Sequence, residues 1–341
     1  VARPVFWCLA DERGDKALLS DPGSQEGSAM IIPEELVALV RQRRIIPFVG
    51  AGLSAGLGLP NWEDLLRDVC SQVEGAVEFD TLLKDTNNDL LQVAEYLYLK
   101  HDRQIGPIRH AVTRGLGNPA NPVLSGVHVE LINLGAAQIY TTNYDDIIEE
   151  TFRKLDLPVM PVVLPKDVAL ADTKRTQVVK YHGDLRHENT LVLTESAYYK
   201  RLDFESPMDL KFRSDLLGKS VLFMGYSFRD INIRIIWFKL MEMMKDIPEA
   251  DRTPSYIVRA QPNQALEELY RAVGLRTIVL SKETKPLSDG EGTRLHANFL
   301  MRLVDAAEAR PANTRTRGPI ISSARLDEIS QRRERYEKDF S

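Results

Sequence analysis

The chain has 341 residues, of which 43% are hydrophobic and 27% charged, and its formal net charge is −5. This usage is ordinary for globular proteins, so it disfavours the disordered and membrane classes, and the negative charge disfavours a protein that coats nucleic acid. The two cysteines, Cys8 and Cys70, are too few for a four-thiolate zinc site, and together with the lack of a cationic, apolar leader they predict a cytoplasmic protein.

The N-terminal region changes character near residue 30. Residues 1–29 end in a polar run rich in Ser, Gly, Asp and Pro without periodicity, and we expect a mobile leader there. From Pro33 onward, Glu34 and Glu35 are followed by apolar residues at helical spacing, which predicts a short helix. A folded domain is therefore expected from residue 30.

Short apolar runs then recur along the chain, as is typical of strands buried on both faces. The runs are 45–49, 136–140, 178–181, 191–194, 221–224, 255–258 and 277–280. Between the first two runs, apolar residues at helical spacing over about 62–117 predict an inserted helical module. The pattern predicts an α/β fold with a doubly wound, Rossmann-like, mostly parallel sheet.

The C-terminal segment, residues 311–341, loses this alternation. It begins with Asn, Thr, Gly and Pro and continues as a charged run from Asp327 to Lys338. Runs of mixed charge are usually solvated, so we expect a solvated tail or surface helix, with a dedicated binding arm as the alternative.

A short motif follows each of four predicted strands. The motifs are Gly50-Ala51-Gly52-Leu53-Ser54, Thr141-Thr142-Asn143-Tyr144-Asp145, His182-Gly183 and Gly225-Tyr226-Ser227-Phe228-Arg229-Asp230. Ligands of open parallel sheets bind beyond the carboxyl ends of the strands, so these four motifs are predicted to converge on one crevice.

The first motif fits the pattern of a nucleotide-binding loop. Gly50 and Gly52, with Ala55, match G-x-G-x-x-G/A, which brings backbone N–H groups to a pyrophosphate. A dehydrogenase would also carry an acidic residue at the end of a second strand about 20 residues later, on the ribose. Residues 65–74 are instead helical in pattern, which disfavours hydride transfer.

The four motifs, in this order, resemble the signatures of the sirtuin family over roughly residues 40–300. Within that family, Gly58-Leu59-Pro60-Asn61-Trp62 and the Gly225 motif resemble the bacterial branch linked to anti-phage defence. The resemblance implies an NAD-binding catalytic domain over residues 30–310, with NAD+ as the substrate and no metal.

The resemblance also implies the catalytic roles. Asn143 would contact the nicotinamide ribose and a water, and His182 would be the general base. These types suit the chemistry, because cleavage develops oxocarbenium character on the ribose and releases a neutral leaving group, so a base that titrates near neutral pH is sufficient. As alternatives, Asn143 caps a helix that begins at Asp145, and His182 is a strand-end residue bonded to backbone.

Further side chains are candidates for nucleotide contacts. Capping is an equal alternative for Asp230, and an aromatic staple is the alternative for Trp62. His128 is expected to be a buried, hydrogen-bonded histidine without a catalytic role. The predicted cofactor-binding residues are Gly50, Ala51, Gly52, Ser54, Trp62, Thr142, Asp145, Gly225, Ser227 and Asp230.

Two features that deacylating sirtuins use on the peptide side of the site are missing, which favours water as the acceptor of the ADP-ribosyl group. Deacylating sirtuins carry a zinc module with four cysteines, and Asn61-Trp62-Glu63 replaces their usual aromatic–arginine pair. We therefore predict hydrolysis of NAD+ to nicotinamide and ADP-ribose; the alternatives are a protein deacylase and a non-catalytic sensor of NAD or ADP-ribose. The resemblance implies a regulated enzyme, expected to be a homo-oligomer, and three routes of control stay open: oligomer assembly, a second nucleotide, or an activating partner such as a hexameric ATPase or an Argonaute-like protein. No direct nucleic-acid or membrane partner is expected.

Overall fold

A parallel sheet of seven strands organises the described part of the chain. The computed structural model describes residues 31–116, 125–170, 172, 174–202, 205–226, 231–248, 251–309 and 323–340. The strands are β1 (Ile45–Val49), β2 (Gln138–Thr141), β3 (Val159–Val162), β4 (Thr176–Lys180), β5 (Ser220–Met224), β6 (Ser255–Arg259) and β7 (Leu275–Val279). Their order is β3-β4-β2-β1-β5-β6-β7, and every neighbouring pair is parallel.

Helices cover both faces of this sheet, as a parallel sheet requires. They are α1 (Glu34–Arg41), α2 (Trp62–Ser71), α3 (Phe79–Asp85), α4 (Leu90–Lys100), α5 (Gly106–Gly115), α6 (Gly126–Asn133), α7 (Ile147–Lys154), α8 (Pro165–Ala169), α9 (Glu195–Tyr199), α10 (Pro207–Leu216), α11 (Ile231–Met243), α12 (Gln264–Ala272), α13 (Asp289–Glu308) and α14 (Ser323–Phe340). The central strands β1 and β5 are buried along their whole length. The two apolar runs that predicted β1 and β5 therefore lie in the interior of the sheet.

Four helices, α2 to α5, form the predicted module between β1 and β2. They have an apolar core of their own, in which Leu66, Val93, Leu97, Ile108 and Val112 are fully buried. The helical spacing of these residues is the reason that the segment packs on itself instead of adding strands. The predicted fold class, a doubly wound and Rossmann-like sheet with an inserted helical module, is confirmed.

One predicted strand is absent from the structure, and one strand of the structure was not predicted. The run Leu191–Thr194 is not a strand; Leu191 and Leu193 are buried against the helical module, because that apolar surface lies next to them and the sheet edge does not. Thr194 is instead the N-cap of α9, and its side chain accepts a hydrogen bond from the Ala197 amide at 3.3 Å. Conversely, β3 was not predicted, because Val159–Val162 is a run of only four residues at the edge of the sheet, where alternate residues are only half-buried.

The order of the strands determines where a ligand can bind. From β1 the chain winds to one side through β2, β3 and β4, and then returns to the other side of β1 for β5, β6 and β7. The direction of winding thus reverses between β1 and β5. In open α/β sheets, ligands bind outside the carboxyl ends of the strands at such a reversal.

The C-terminal helix α14 packs against α6. Arg333 pairs with Glu130 through its Nε, at 2.6 Å, and its Nη2, at 3.0 Å, and Ile329 is only 3% exposed. The predicted leader and residues 310–322 lie outside the described residues, and the predicted domain boundaries stay a prediction. Within the described ranges, no helix combines the length and apolarity that crossing a bilayer requires.

Candidate active site

The four motifs lie at the carboxyl ends of four neighbouring strands. Strands β4, β2, β1 and β5 are adjacent in that order, and Thr141 is paired with both Lys180 and Val49. Val49 is in turn paired with Met224. Each motif starts within two residues of these paired strand ends, so the fold brings all four to one edge of the sheet.

The glycine loop after β1 packs directly on the loop after β5. The amides of Gly50 and Gly52 donate to the carbonyls of Met224 at 3.0 Å and Gly225 at 2.9 Å. A Cβ at Gly225 would lie 2.2 Å from the Leu53 nitrogen, and the φ of Gly225 is +58°. These two amides are thus used within the protein, and close packing is one reason for the glycines; nucleotide binding by the loop stays a prediction.

Behind this loop, Ser54 is anchored to α6. The loop continues as two 3-10 turns, Ala51–Leu53 and Ala55–Leu57, in which Ala51 is exposed and Ser54, between the turns, is buried. The Ser54 hydroxyl lies 3.4 Å from His128 Nε2. Burial lowers the pKa of His128 to about 4, so its imidazole is neutral at pH 7. His128 is the buried, hydrogen-bonded residue that was predicted, and its partner is a predicted site residue.

Asn143 follows β2 in a turn that ties two strands together. The Thr141 hydroxyl donates to the Val49 carbonyl at 2.9 Å and accepts from the Asn143 amide at 3.0 Å. Asn143 is 8% exposed, and its Nδ2 has no partner of normal hydrogen-bond geometry among the described residues. Burial raises the pKa of the neighbouring Asp145 carboxyl, and the Asn143 side chain opposes this shift only weakly. A buried polar group in this state is a candidate for binding a substrate.

The N-cap alternative for Asn143 is wrong. Helix α7 begins at Ile147, and Asp146 occupies the N-cap position. The Asp145 side chain accepts from the Ile147 amide at 3.2 Å, so the acidic residues take over the helix terminus. Asn143 lies before this turn, in the segment that leaves the sheet edge.

His182 is held at the end of β4 from several directions. It is 4% exposed, its carbonyl accepts from the Val192 amide at 3.0 Å, and its ring meets Tyr198 edge-on at a centroid distance of 5.4 Å. Gly183 has a φ of +89°, and a Cβ there would lie 2.2 Å from the Thr190 carbonyl oxygen. The run that was wrongly predicted as a strand therefore braces the His182-Gly183 turn.

An ionic cluster that sequence reasoning missed lies beneath Asn143 and His182. Lys180, the last residue of β4, has a fully buried side chain whose ammonium lies 3.3 Å from Asp146 Oδ1 and 3.5 Å from Glu149 Oε1. Burial alone lowers the pKa of Lys180, but the carboxylates, led by Glu149, outweigh it, so the net shift is upward and the lysine is charged. The sequence did contain a signal for this cluster, because Lys180 is a charged residue at the end of an apolar strand.

A second part of this cluster extends to the loop after His182. The Asp184 carboxylate accepts from Arg186 Nε at 2.9 Å and Nη2 at 2.7 Å. Burial raises the pKa of Asp184, but the hydrogen bonds from Arg186 outweigh that effect and hold the pKa below its ordinary value. Arg186 Nη2 also lies 3.4 Å from Asp146, so the loops after β2 and β4 are joined by charge as well as by the sheet.

The remaining predicted residues fall into two groups. Trp62, at the start of α2, is half-buried against the helical module with its ring 6.5 Å from that of Tyr144, while Thr142 and Asp145 are half-buried beyond β2. Their nucleotide contacts stay predictions, as do those of Ala51 and Gly225. Ser227 and Asp230 lie outside the described residues.

A cavity in the structure lies away from this edge. Its volume is about 240 Å³, and its lining includes Val221, Ser255 and Arg276, which begin or lie near the amino ends of β5, β6 and β7. Ligand sites of parallel sheets lie at the opposite, carboxyl edge, so this cavity does not identify the candidate site. In the described ranges, no three His, Cys, Asp or Glu side chains cluster as metal ligands.

Comparison with a family model covers three of the four motifs and leaves the Gly50 loop outside the match. Residues 137–278 match the family described as SIR2-like domain, a range that includes Asn143, His182 and Gly225. The chain is similar to NAD(+) hydrolase ThsA of Cytobacillus dafuensis, with 30% identity over 230 residues, or 67% of this chain and 44% of that protein.

Two further relatives extend this likeness. NAD(+) hydrolase ThsA of Bacillus cereus (strain MSX-D12) is 27% identical over 223 residues, or 65% of this chain and 44% of that protein. Defense-associated sirtuin 2 of Bacillus subtilis is 25% identical over 254 residues, or 72% of this chain and 24% of that protein. The chain spans less than half the length of these relatives.

Proposed function

We propose that this chain, which carries a SIR2-like domain, hydrolyses NAD+ at the bond between nicotinamide and ribose. The products are nicotinamide and ADP-ribose. Relatives of moderate identity that are named NAD(+) hydrolases support this reaction. The ends of β2 and β4 support it independently, because they hold an amide and an imidazole at one edge of the sheet.

The observation that carries the proposal is the placement of Asn143 and His182. They stand two residues beyond Thr141 and Lys180, which are directly paired across β2 and β4. Both side chains are nearly buried, so a ligand between them is largely withdrawn from water. Electrostatic interactions with a developing positive charge are stronger in such a site than in bulk water.

The chemistry assigns a step to each residue. As the bond between C1′ and the pyridinium nitrogen breaks, its electron pair leaves with nicotinamide and the ribose gains oxocarbenium character. The Asn143 amide orients the ribose and the attacking water. Water adds at C1′ and transfers its proton to His182, which completes ADP-ribose.

We further propose that the enzyme depletes NAD+ in anti-phage defence and is inactive until it is triggered. The name of the Bacillus subtilis relative supports the setting. An unregulated NAD+ hydrolase would harm its own cell, so control is expected from homo-oligomer assembly or from an activating partner, such as a hexameric ATPase or an Argonaute-like protein. Nicotinamide release measured across protein concentration tests the first route, because assembly makes specific activity rise with concentration.

The experiment is nicotinamide release from NAD+ by the purified chain, with and without an acetyl-lysine peptide. Wild type is compared with His182→Ala and Asn143→Ala. General-base contributions are about 10²- to 10⁴-fold, so His182→Ala should lose most turnover while NAD+ still binds. His110→Ala, an exposed histidine on α5, is the matched control and should keep wild-type turnover.

Each result has a defined meaning. Release that needs no peptide and is lost in His182→Ala supports the hydrolase. Release only with the peptide supports the deacylase instead. Binding of NAD+ without release, at all protein concentrations, fits either a sensor or an enzyme that awaits its activating partner. Near-wild-type turnover in His182→Ala removes His182 from the mechanism.

A further inference from the structure

A buried lysine joins the two segments that carry Asn143 and His182. The side chain of Lys180 is fully buried, and its ammonium donates a hydrogen bond to the backbone carbonyl of Asp145. Two carboxylates, Asp146 at 3.3 Å and Glu149 at 3.5 Å, neutralise it. The lysine thus reaches from the end of β4 to the turn beyond β2.

The position of this contact relates it to the site. Lys180 lies two residues before His182, and the carbonyl that it binds belongs to Asp145, two residues after Asn143. The sheet already pairs Lys180 with Thr141 on the other side of Asn143. The Asn143 segment is therefore tied to β4 both before and after Asn143.

Stability alone does not explain a charge at this place. A buried ion pair is often no more stable than well-packed apolar residues of similar volume, because desolvation offsets the attraction. The preceding residues of β4, Val178 and Val179, are buried and apolar, and methionine would continue that pattern. What methionine cannot do is donate to the Asp145 carbonyl and attract the two carboxylates.

We infer that Lys180 is a positioning residue, which holds Asn143 and the ribose it orients at a set distance from His182. Lys180 contacts neither substrate nor water in this role; it acts through the backbone of Asp145. The inference rests on the proposed function, because it assumes that Asn143 and His182 act on one substrate. Displacement of a catalytic group by about 1 Å can reduce turnover by about 10²-fold.

The test compares Lys180→Met with Lys211→Met in the full chain. Lys211 is also nearly buried and pairs with a carboxylate, Asp215, at 2.8 Å, but it lies on α10 outside the proposed site. Lys180→Met should lower kcat for nicotinamide release about 100-fold. The KM for NAD+ should change by less than about 3-fold, since groups that bind the nucleotide are retained. Lys211→Met should keep the wild-type kcat.

A second variant covers the case in which Lys180→Met does not fold. Removing the lysine leaves the Glu149 carboxylate buried without its cation, so Lys180→Met/Glu149→Gln removes both charges. A folded variant that lacks Lys180 and keeps a kcat near wild type overturns the inference. An equal loss of kcat in Lys211→Met also overturns it.

If the purified wild-type protein releases no nicotinamide, the inference is tested without an activity measurement. The side-chain amide signals of Asn143 and the ring signals of His182 are then compared by NMR. The inference predicts that the chemical shifts of both groups of signals change in Lys180→Met and are unchanged in Lys211→Met. Unchanged Asn143 signals in a folded Lys180→Met protein would overturn it without any activity measurement.

Discussion

The contact between the two glycine loops provides a quantitative test of the structure. In Gly225→Ala, the new Cβ would lie 2.2 Å from the Leu53 nitrogen and 2.8 Å from the Gly52 carbonyl carbon. Both are backbone atoms, so relief requires the loop after β1 to move as a whole. The φ of +58° adds a second penalty, because L-residues with a side chain avoid this region.

These two penalties can be separated by a matched glycine. A left-handed conformation costs a non-glycine residue about 1–2 kcal/mol. Overpacking a close contact costs about 1–3 kcal/mol more, which gives about 2–5 kcal/mol for Gly225→Ala. Gly218 has a φ of +73°, but a Cβ at this position would meet no atom within 4 Å, so Gly218→Ala should lose only the conformational part, about 1–2 kcal/mol.

The assay is urea unfolding of the wild type and both variants, followed by far-UV circular dichroism. Free energies of unfolding are compared at constant m, so that only stability differs. Gly225→Ala should be the less stable variant by about 1–3 kcal/mol. If both variants lose the same free energy, the two loops do not pack as tightly as the structure shows, and the steric explanation of Gly225 is refuted.

Two further predictions concern the attachments of α6. Burial lowers the pKa of His128 to about 4 in the folded state, against about 6.5 in the unfolded state. Between these two values only the unfolded state takes up the proton, so the free energy of unfolding falls as the pH drops from about 6.5 toward 4. The slope is up to about 1.4 kcal/mol per pH unit, and no stability is lost above about pH 6.5. Urea unfolding at pH 7 and pH 5 should show that His128→Gln reduces this pH dependence; an unchanged slope would contradict it. Arg333→Ala should lose about 1.5–3 kcal/mol of unfolding free energy, since it breaks a two-pronged pair with Glu130 at 2.6 and 3.0 Å. The control Arg335→Ala removes an exposed pair with Asp156 at 3.4 Å and should lose less than about 1 kcal/mol; equal losses would show that α14 is not held by Arg333.

The fold was largely predictable because its signals are local. Ile45–Val49 and Val221–Met224 are continuous apolar runs, and such runs predict strands buried on both faces whatever their partners are. The i, i+4 spacing of Val93 with Leu97 and of Ile108 with Val112 likewise predicts helices. The motifs could also be assigned to one edge, because the carboxyl ends of parallel strands share that edge.

The failures have one cause. Leu191–Thr194 has the composition of a strand, but its neighbours in space are the helical module and His182, and no local pattern encodes that choice. The edge strand Val159–Val162 has only four residues, of which alternate ones are half-buried, so its local signal is weak even though pairing with β4 stabilises it. Competition between sheet and helix surfaces decides such short apolar segments.

The candidate site was likewise predictable in its local features and not in its long-range contacts. The residue types and order of the motifs, with Asn143 and His182 at predicted strand ends, are sufficient to predict a nucleotide site with these two side chains at its centre. Only the tertiary structure revealed the attachments: Lys180 to the Asp145 carbonyl, Ser54 to His128, and the glycine loops to one another. Each joins segments separated by at least 34 residues in the chain. Burial and electrostatic pairing depend on which groups are close in space. The hydrophobic periodicity of a sequence indicates only the face of a helix or strand on which a residue lies.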